Sequence, residues 1–92
     1  MLLKNKAGEE VEITLDFDKV CAYEKEHEDW SIILEMRKFG KTMRFSTLDL
    51  LASFIHPGGW KSWTAEGFTI NDLTNVISEG LNELGFSSEA EA

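Results

Sequence analysis

The segment Val11-Glu12-Ile13-Thr14-Leu15-Asp16-Phe17 alternates apolar and polar side chains without a break. That is the period-two signature of a half-buried strand. Before it, Asn5-Lys6-Ala7-Gly8 is turn chemistry, with Gly8 free to take a positive φ, and Leu2-Leu3-Lys4 is a short apolar run. The first seventeen residues therefore read as a β-hairpin. Two strands alone are marginal in water, so the hairpin must rest on the remainder of the chain.

Residues 18 onward have helical spacing. Asp16 or Asp18 is placed to cap a helix running to about Asp29, with Phe17, Val20, Cys21 and Tyr23 as its apolar contacts and Glu24 to Asp29 as a solvated end. Residues 30–45 admit two readings. As a helix, Trp30, Ile33, Leu34 and Arg37 share a face, and Gly40 takes the left-handed position beyond the end. As a hairpin, the chain turns through Gly40-Lys41 into Thr42-Met43-Arg44-Phe45.

Ser46 or Thr47 begins another helix, with Leu48, Leu51, Ala52 and Ile55 facing the core, Phe54 beside them, and Pro57-Gly58-Gly59 as its stop. A loop from Trp60 to Gly67 comes next. Thr69-Ile70-Asn71-Asp72 resembles a capping box, and the last helix aligns Ile70, Leu73, Val76, Ile77, Leu81 and Leu84. Gly80 costs that helix about 1 kcal/mol against alanine. Gly85 ends it, with Phe86 folding back as the cap's apolar contact.

The expected class is α+β, mostly α: an N-terminal β-hairpin followed by three or four short packed helices. A single domain over residues 1–86 is expected (1–17 hairpin, 18–86 helical part), and 87–92 reads as a flexible acidic tail.

Charge runs in bands. Residues 9–35 carry ten acids against Lys19 and Lys25, while residues 36–63 carry Arg37, Lys38, Lys41, Arg44 and Lys61 against Asp49 alone. Residues 64–92 carry six acids and no base, and the net charge is −8. Most of such a surface repels nucleic acid and anionic lipid, which leaves protein partners. The four cations from Arg37 to Arg44, interleaved with Phe39 and Phe45, are too few against seventeen acids to suggest a nucleic-acid site. They are better suited to pairing with acids of the same fold or of a neighbouring subunit. Opposed bands also favour a homo-oligomer, symmetric or head to tail.

Catalytic and metal signatures are weak. Cys21 and His27, six residues apart on one helix, diverge. Glu24 and His27 make one Glu-x-x-His spacing, where carboxylate-bridged di-metal bundles need two, so neither metal nor cofactor is expected. Gly58-Gly59-Trp60 lacks the phosphate-loop pattern. The chain is read as non-enzymatic. One cysteine excludes an internal disulfide framework, and no apolar run reaches the ~20 residues of a membrane span. With no leader-like segment, a soluble intracellular protein is expected. Trp60 and Trp63 carry the largest apolar area of the loop region: they either plug the core or anchor a partner, one ring in and one out being a third arrangement.

Several segments together resemble the small tail assembly chaperones of tailed bacteriophages and prophages. They are the strand-like opening, the helix Phe17-Asp18-Lys19-Val20-Cys21-Ala22-Tyr23-Glu24-Lys25-Glu26 with its acidic end, the segment Ser31 to Glu35, the Phe-Ser-Thr-Leu helix over Phe45 to Ala52, and the start at Thr69 to Asp72. The resemblance covers roughly residues 11 to 86 and is one of pattern; the Gly58 to Trp63 stretch departs from it. It implies a cytoplasmic role in a bacterial host, binding the tape measure protein, and in some cases the tail tube subunit, during tail assembly. It carries no catalytic residues and implies, in some members, a frameshifted longer form. Trp60, Trp63, Phe54 and the cations Arg37, Lys38, Lys41 and Arg44 are the candidate partner-binding residues, chosen from aromatic content and charge. The alternatives are an acidic inhibitor of a basic, nucleic-acid-binding partner and a minor structural tail component.

Overall fold

In the computed structural model, which describes residues 1–85, an antiparallel hairpin precedes five helices. Strands β1 (Leu2–Lys4) and β2 (Glu10–Glu12) pair with Leu3 opposite Val11. The helices are α1 (Phe17–Glu26), α2 (Ile32–Phe39), α3 (Phe45–Ser53), α4 (Gly59–Ala65) and α5 (Ile70–Glu83). The α+β class expected from the sequence is the one observed, with five helices where three or four were expected. The proposed cap contact of Phe86 and the acidic tail lie outside the described residues.

The second strand is shorter than its alternation suggested. Its partner offers three residues, so regular pairing stops at Glu12. One further bond, Ile13 N–H to the Met1 carbonyl, carries the chain past the strand end. Ile13 then enters the core, and the Asp16 N–H donates to the Phe54 carbonyl at 2.9 Å. The far end of the hairpin is tied down as well, because the Lys6 N–H donates to the Glu66 carbonyl at 2.7 Å. Two short strands thus gain the support they lack alone.

Asp16 caps α1, accepting from the Lys19 N–H at 3.1 Å. The helix ends at Glu26, short of Asp29. Phe17 is a correction to the expected core: its side chain is 52% exposed, and Val20 is the buried residue of this helix.

Residues 32–39 form a helix, which settles the choice left open by the sequence. Ser31 caps it, and Glu24 reaches across from α1 to accept the Ile32 N–H at 3.0 Å. The buried face differs from the expected one. Ile32, Met36 and Phe39, at i, i+4 and i+7, turn inward, while Leu34 and Arg37 turn out. Trp30 precedes the helix and packs edge-on against Tyr23 at 4.7 Å between ring centroids. Gly40 is right-handed, with φ −65°, not the left-handed terminator expected.

α3 begins at Phe45, capped by no side chain, and buries Leu48, Leu51 and Ala52. The turn after it sends Phe54 towards Tyr23 and Trp30, and His56 towards Trp63 and Phe68. One turn therefore feeds two aromatic groups.

The expected Trp60–Gly67 loop is mostly helix. Gly58 and Gly59 close the turn after α3 with φ of 94° and 73°, and the chain re-enters a helix at once. Asp49 on α3 accepts the Trp60 N–H at 2.9 Å, so the start of α4 is held by a side chain eleven residues upstream. A Cβ on Gly59 would collide with that same carboxylate. The capping box at Thr69 and Asp72 forms as read, and α5 buries Leu73, Val76 and Ile77. Leu84, expected on the core face, is exposed at the C-cap.

Candidate protein-binding surface

The candidate residues separate by depth. Trp63 is fully buried, and its indole N–H donates to the Thr69 carbonyl at 2.9 Å, so its polar atom is satisfied inside. Phe54 is also buried. Neither presents a surface, and both are corrected from partner anchors to core residues. The reason lies in helix spacing: on a helical 59–65 segment, Trp63 stands on the inner face above Phe68, at 4.5 Å between centroids. Trp60 is half-buried against the core. The two tryptophans adopt the one-in, one-partly-out arrangement.

The cations behave differently. Arg37, Lys38, Lys41 and Arg44 are all exposed. Among the described residues none of them enters an ion pair, and the pair that is present joins the Met1 ammonium to Glu12. Hydrogen bonding to the Glu12 carboxylate raises the pKa of that ammonium. The expected pairing of the basic band with acids of its own fold is therefore absent among these residues.

Sequence reasoning misses the apolar side chains that share this region. Leu34 is 48% exposed, Met43 62% and Phe45 79%. Leu34, Arg37, Lys38 and Lys41 fall at i, i+3, i+4 and i+7, which places them along one side of α2 and its end. Met43, Arg44 and Phe45 form the corner into α3. The signal is present in the sequence: the helical reading of 30–45 puts Leu34 and Arg37 on one face, but assigns that face to the interior.

Glu35 fixes this surface in place. One carboxylate oxygen accepts from the Trp30 indole at 2.9 Å, and the other from the Thr47 hydroxyl of α3 at 3.3 Å. α2 is thereby fastened to the chain before it and the helix after it. With both oxygens engaged inward, Glu35 leaves the neighbouring cations uncompensated. The result is a rigidly mounted, basic and partly apolar stripe on an acidic molecule.

Elsewhere the chemistry is sparse. Cys21 is half-buried on α1. His27 stacks on Tyr23 at 4.0 Å beyond the end of that helix, and Glu24 is spent on the start of α2. Among the described residues no group of three or more His, Cys, Asp or Glu is placed to hold a metal ion. No helix among them is long and apolar enough to cross a membrane. A scan of protein-family models, a search of the curated proteins and a search of the solved structures each found nothing that matches this chain.

Proposed function

We propose that this protein is a non-enzymatic binder of another protein, acting as a phage or prophage tail assembly chaperone whose client is the tape measure protein. The observation that carries the binding role is the stripe on α2, where Leu34 lies among Arg37, Lys38 and Lys41 with no acid of the described fold paired to them. Exposed apolar area rimmed by charge marks interaction surfaces. An amphipathic client helix with an apolar ridge and acidic flanks fits it: the ridge covers Leu34 and the flanks meet the cations. The chaperone identity is supported by the sequence pattern alone. A long, helical, partly apolar client needs covering until it assembles, and a small acidic protein with one sticky face keeps such a complex soluble.

The test is co-expression of the tagged chain in its phage or prophage background, with retained proteins identified by mass spectrometry. Recovery of a long tape measure protein, lost with Leu34→Asp or Arg37→Glu/Lys38→Glu, supports the reading. Recovery of a basic nucleic-acid-binding protein alone, released at high salt, replaces it with the acidic inhibitor. Presence of the chain in purified particles makes it a structural tail component.

A further inference from the structure

Leu34 on α2 and Phe45 at the first position of α3 are exposed apolar side chains on two different helices. The hydrogen bond from the Thr47 hydroxyl to the Glu35 carboxylate draws the first turn of α3 against the flank of α2, not beyond its end. Phe45 stands two residues before Thr47 on that flank. Lys38 follows Leu34 by four residues and Glu35 by three, so it lies one turn on from both. Around the helix it therefore comes between Leu34 and the side fastened to α3. Arg37 follows Leu34 by three residues and falls on its other flank, away from α3. Lys38 is exposed, and among the described residues no acid pairs with it.

We infer that the partner of this face is a helix whose apolar stripe is interrupted by one acid, and that Lys38 is the residue that selects it. A straight element covering Leu34 and Phe45 together must cross Lys38. Two side chains with one neighbour between them are roughly 10–12 Å apart, which a helix spans in two turns. The matching pattern is an apolar residue at i, Asp or Glu at i+3 or i+4, and a second apolar residue at i+7. The inference rests on the binding role proposed for the α2 stripe and adds the pattern that its partner carries.

Selection works by rejection as much as by attraction. An ordinary amphipathic helix, with an unbroken apolar stripe, covers both anchors and strips water from the Lys38 ammonium without pairing it. That unpaired charge is the cost which turns away the commoner helices of the cell. An acid at the crossing point meets the ammonium and removes the cost, while Leu34 and Phe45 supply the apolar contact on either side. An anionic lipid surface also meets the cations, but it is repelled by the rest of a molecule of net charge −8. A lipid surface also sets no requirement at one position, and a helix does.

Fluorescence anisotropy of the full chain with two labelled helical peptides, each of about twenty residues, tests it. One peptide carries Leu at i and i+7 with Glu at i+4. The other exchanges that Glu with an Ala from its opposite face, so composition and charge are equal. The wild-type protein should bind the interrupted peptide about tenfold more tightly. Lys38→Leu should reverse the preference. Arg37→Leu, which removes a charge on the far flank of Leu34, should weaken both peptides alike and leave the preference in place. Both positions are exposed, and circular dichroism checks that both variants stay folded. Equal binding of the two peptides by wild type overturns the inference, and so does an Arg37→Leu variant that shifts the preference as far as Lys38→Leu. Failure to bind either peptide overturns it too; uptake by phosphatidylserine vesicles, or self-association lost with Phe45→Ser, would then say what covers the face instead. A tape measure protein recovered in the pull-down, with the peptides bound equally, sinks this inference alone. Peptides discriminated with no such protein recovered sinks the proposed client and leaves the pattern standing.

Discussion

The Cβ of Leu15 occupies the space that a side chain at Gly80 would need: a methyl group built there would stand 2.6 Å from it. Leu15 lies in the extended segment before α1, and Gly80 lies in α5. The bare backbone at 80 is what lets the extended segment rest on the last helix. Helix propensity alone says that Gly80→Ala stabilises by about 1 kcal/mol. The contact reverses the sign. Gly80→Ala should destabilise by about 1–3 kcal/mol, as overpacked cores do. Adding Leu15→Ala should recover part of that loss, and a double-mutant cycle by urea denaturation measures the coupling.

Trp63 and Trp60 should part company in the same experiment. Trp63→Ala empties the centre of the core and removes one of the two bonds to the Thr69 carbonyl, which keeps the Leu73 N–H, at a cost of about 3–5 kcal/mol. Trp60→Ala should cost much less, because its ring is only half-buried. If the two variants unfold at the same denaturant concentration, the depth assigned to Trp63 is wrong.

Two helix starts depend on distant carboxylates. Asp49→Ala should cost about 0.5–2 kcal/mol through the loss of the Trp60 cap, and Glu24→Ala a similar amount at α2. Hydrogen exchange distinguishes them: loss of Asp49 should speed exchange at the Trp60 amide and leave the Ile32 amide slow, and loss of Glu24 the reverse.

Arg37→Glu/Lys38→Glu should leave stability within about 0.5 kcal/mol of wild type, because both residues are exposed and unpaired among the described residues. The same change should abolish client capture. Thermal unfolding beside the pull-down reads both, and a large stability loss would show that the stripe belongs to the fold.

The features legible in the sequence are local. The capping box of Thr69 and Asp72 spans four residues, and its chemistry is complete within them. The core face of α3 shows in Leu48, Leu51 and Ala52 because one helix buries one regular stripe. The hidden features are set at a distance. The alternation from Val11 to Phe17 reads as one strand, yet it breaks at Glu12 because β1 has nothing left to pair. Gly58 and Gly59 read as an ending, and their positive φ values hide that a helix starts there on a carboxylate from α3. On α2 the sequence points to the wrong inner face because Trp30, its strongest apolar neighbour, packs before the helix and not along it. The same error conceals the candidate surface, since it turns Leu34 inward.

The mounting of α2 through Trp30 has an optical consequence. The three tryptophans of this chain sit in three surroundings: Trp63 sealed in the core, Trp60 half-covered on α4, and Trp30 hydrogen-bonded to the helix that bears the stripe. A ligand pressing on α2 disturbs the indole of Trp30 through Glu35 while Trp63 stays dark to it. Only loss of the fold brings water to all three. With Trp63 left in place to hold the core, the part of the emission that responds to a ligand is therefore a built-in gauge of what touches that face, with no dye or label attached.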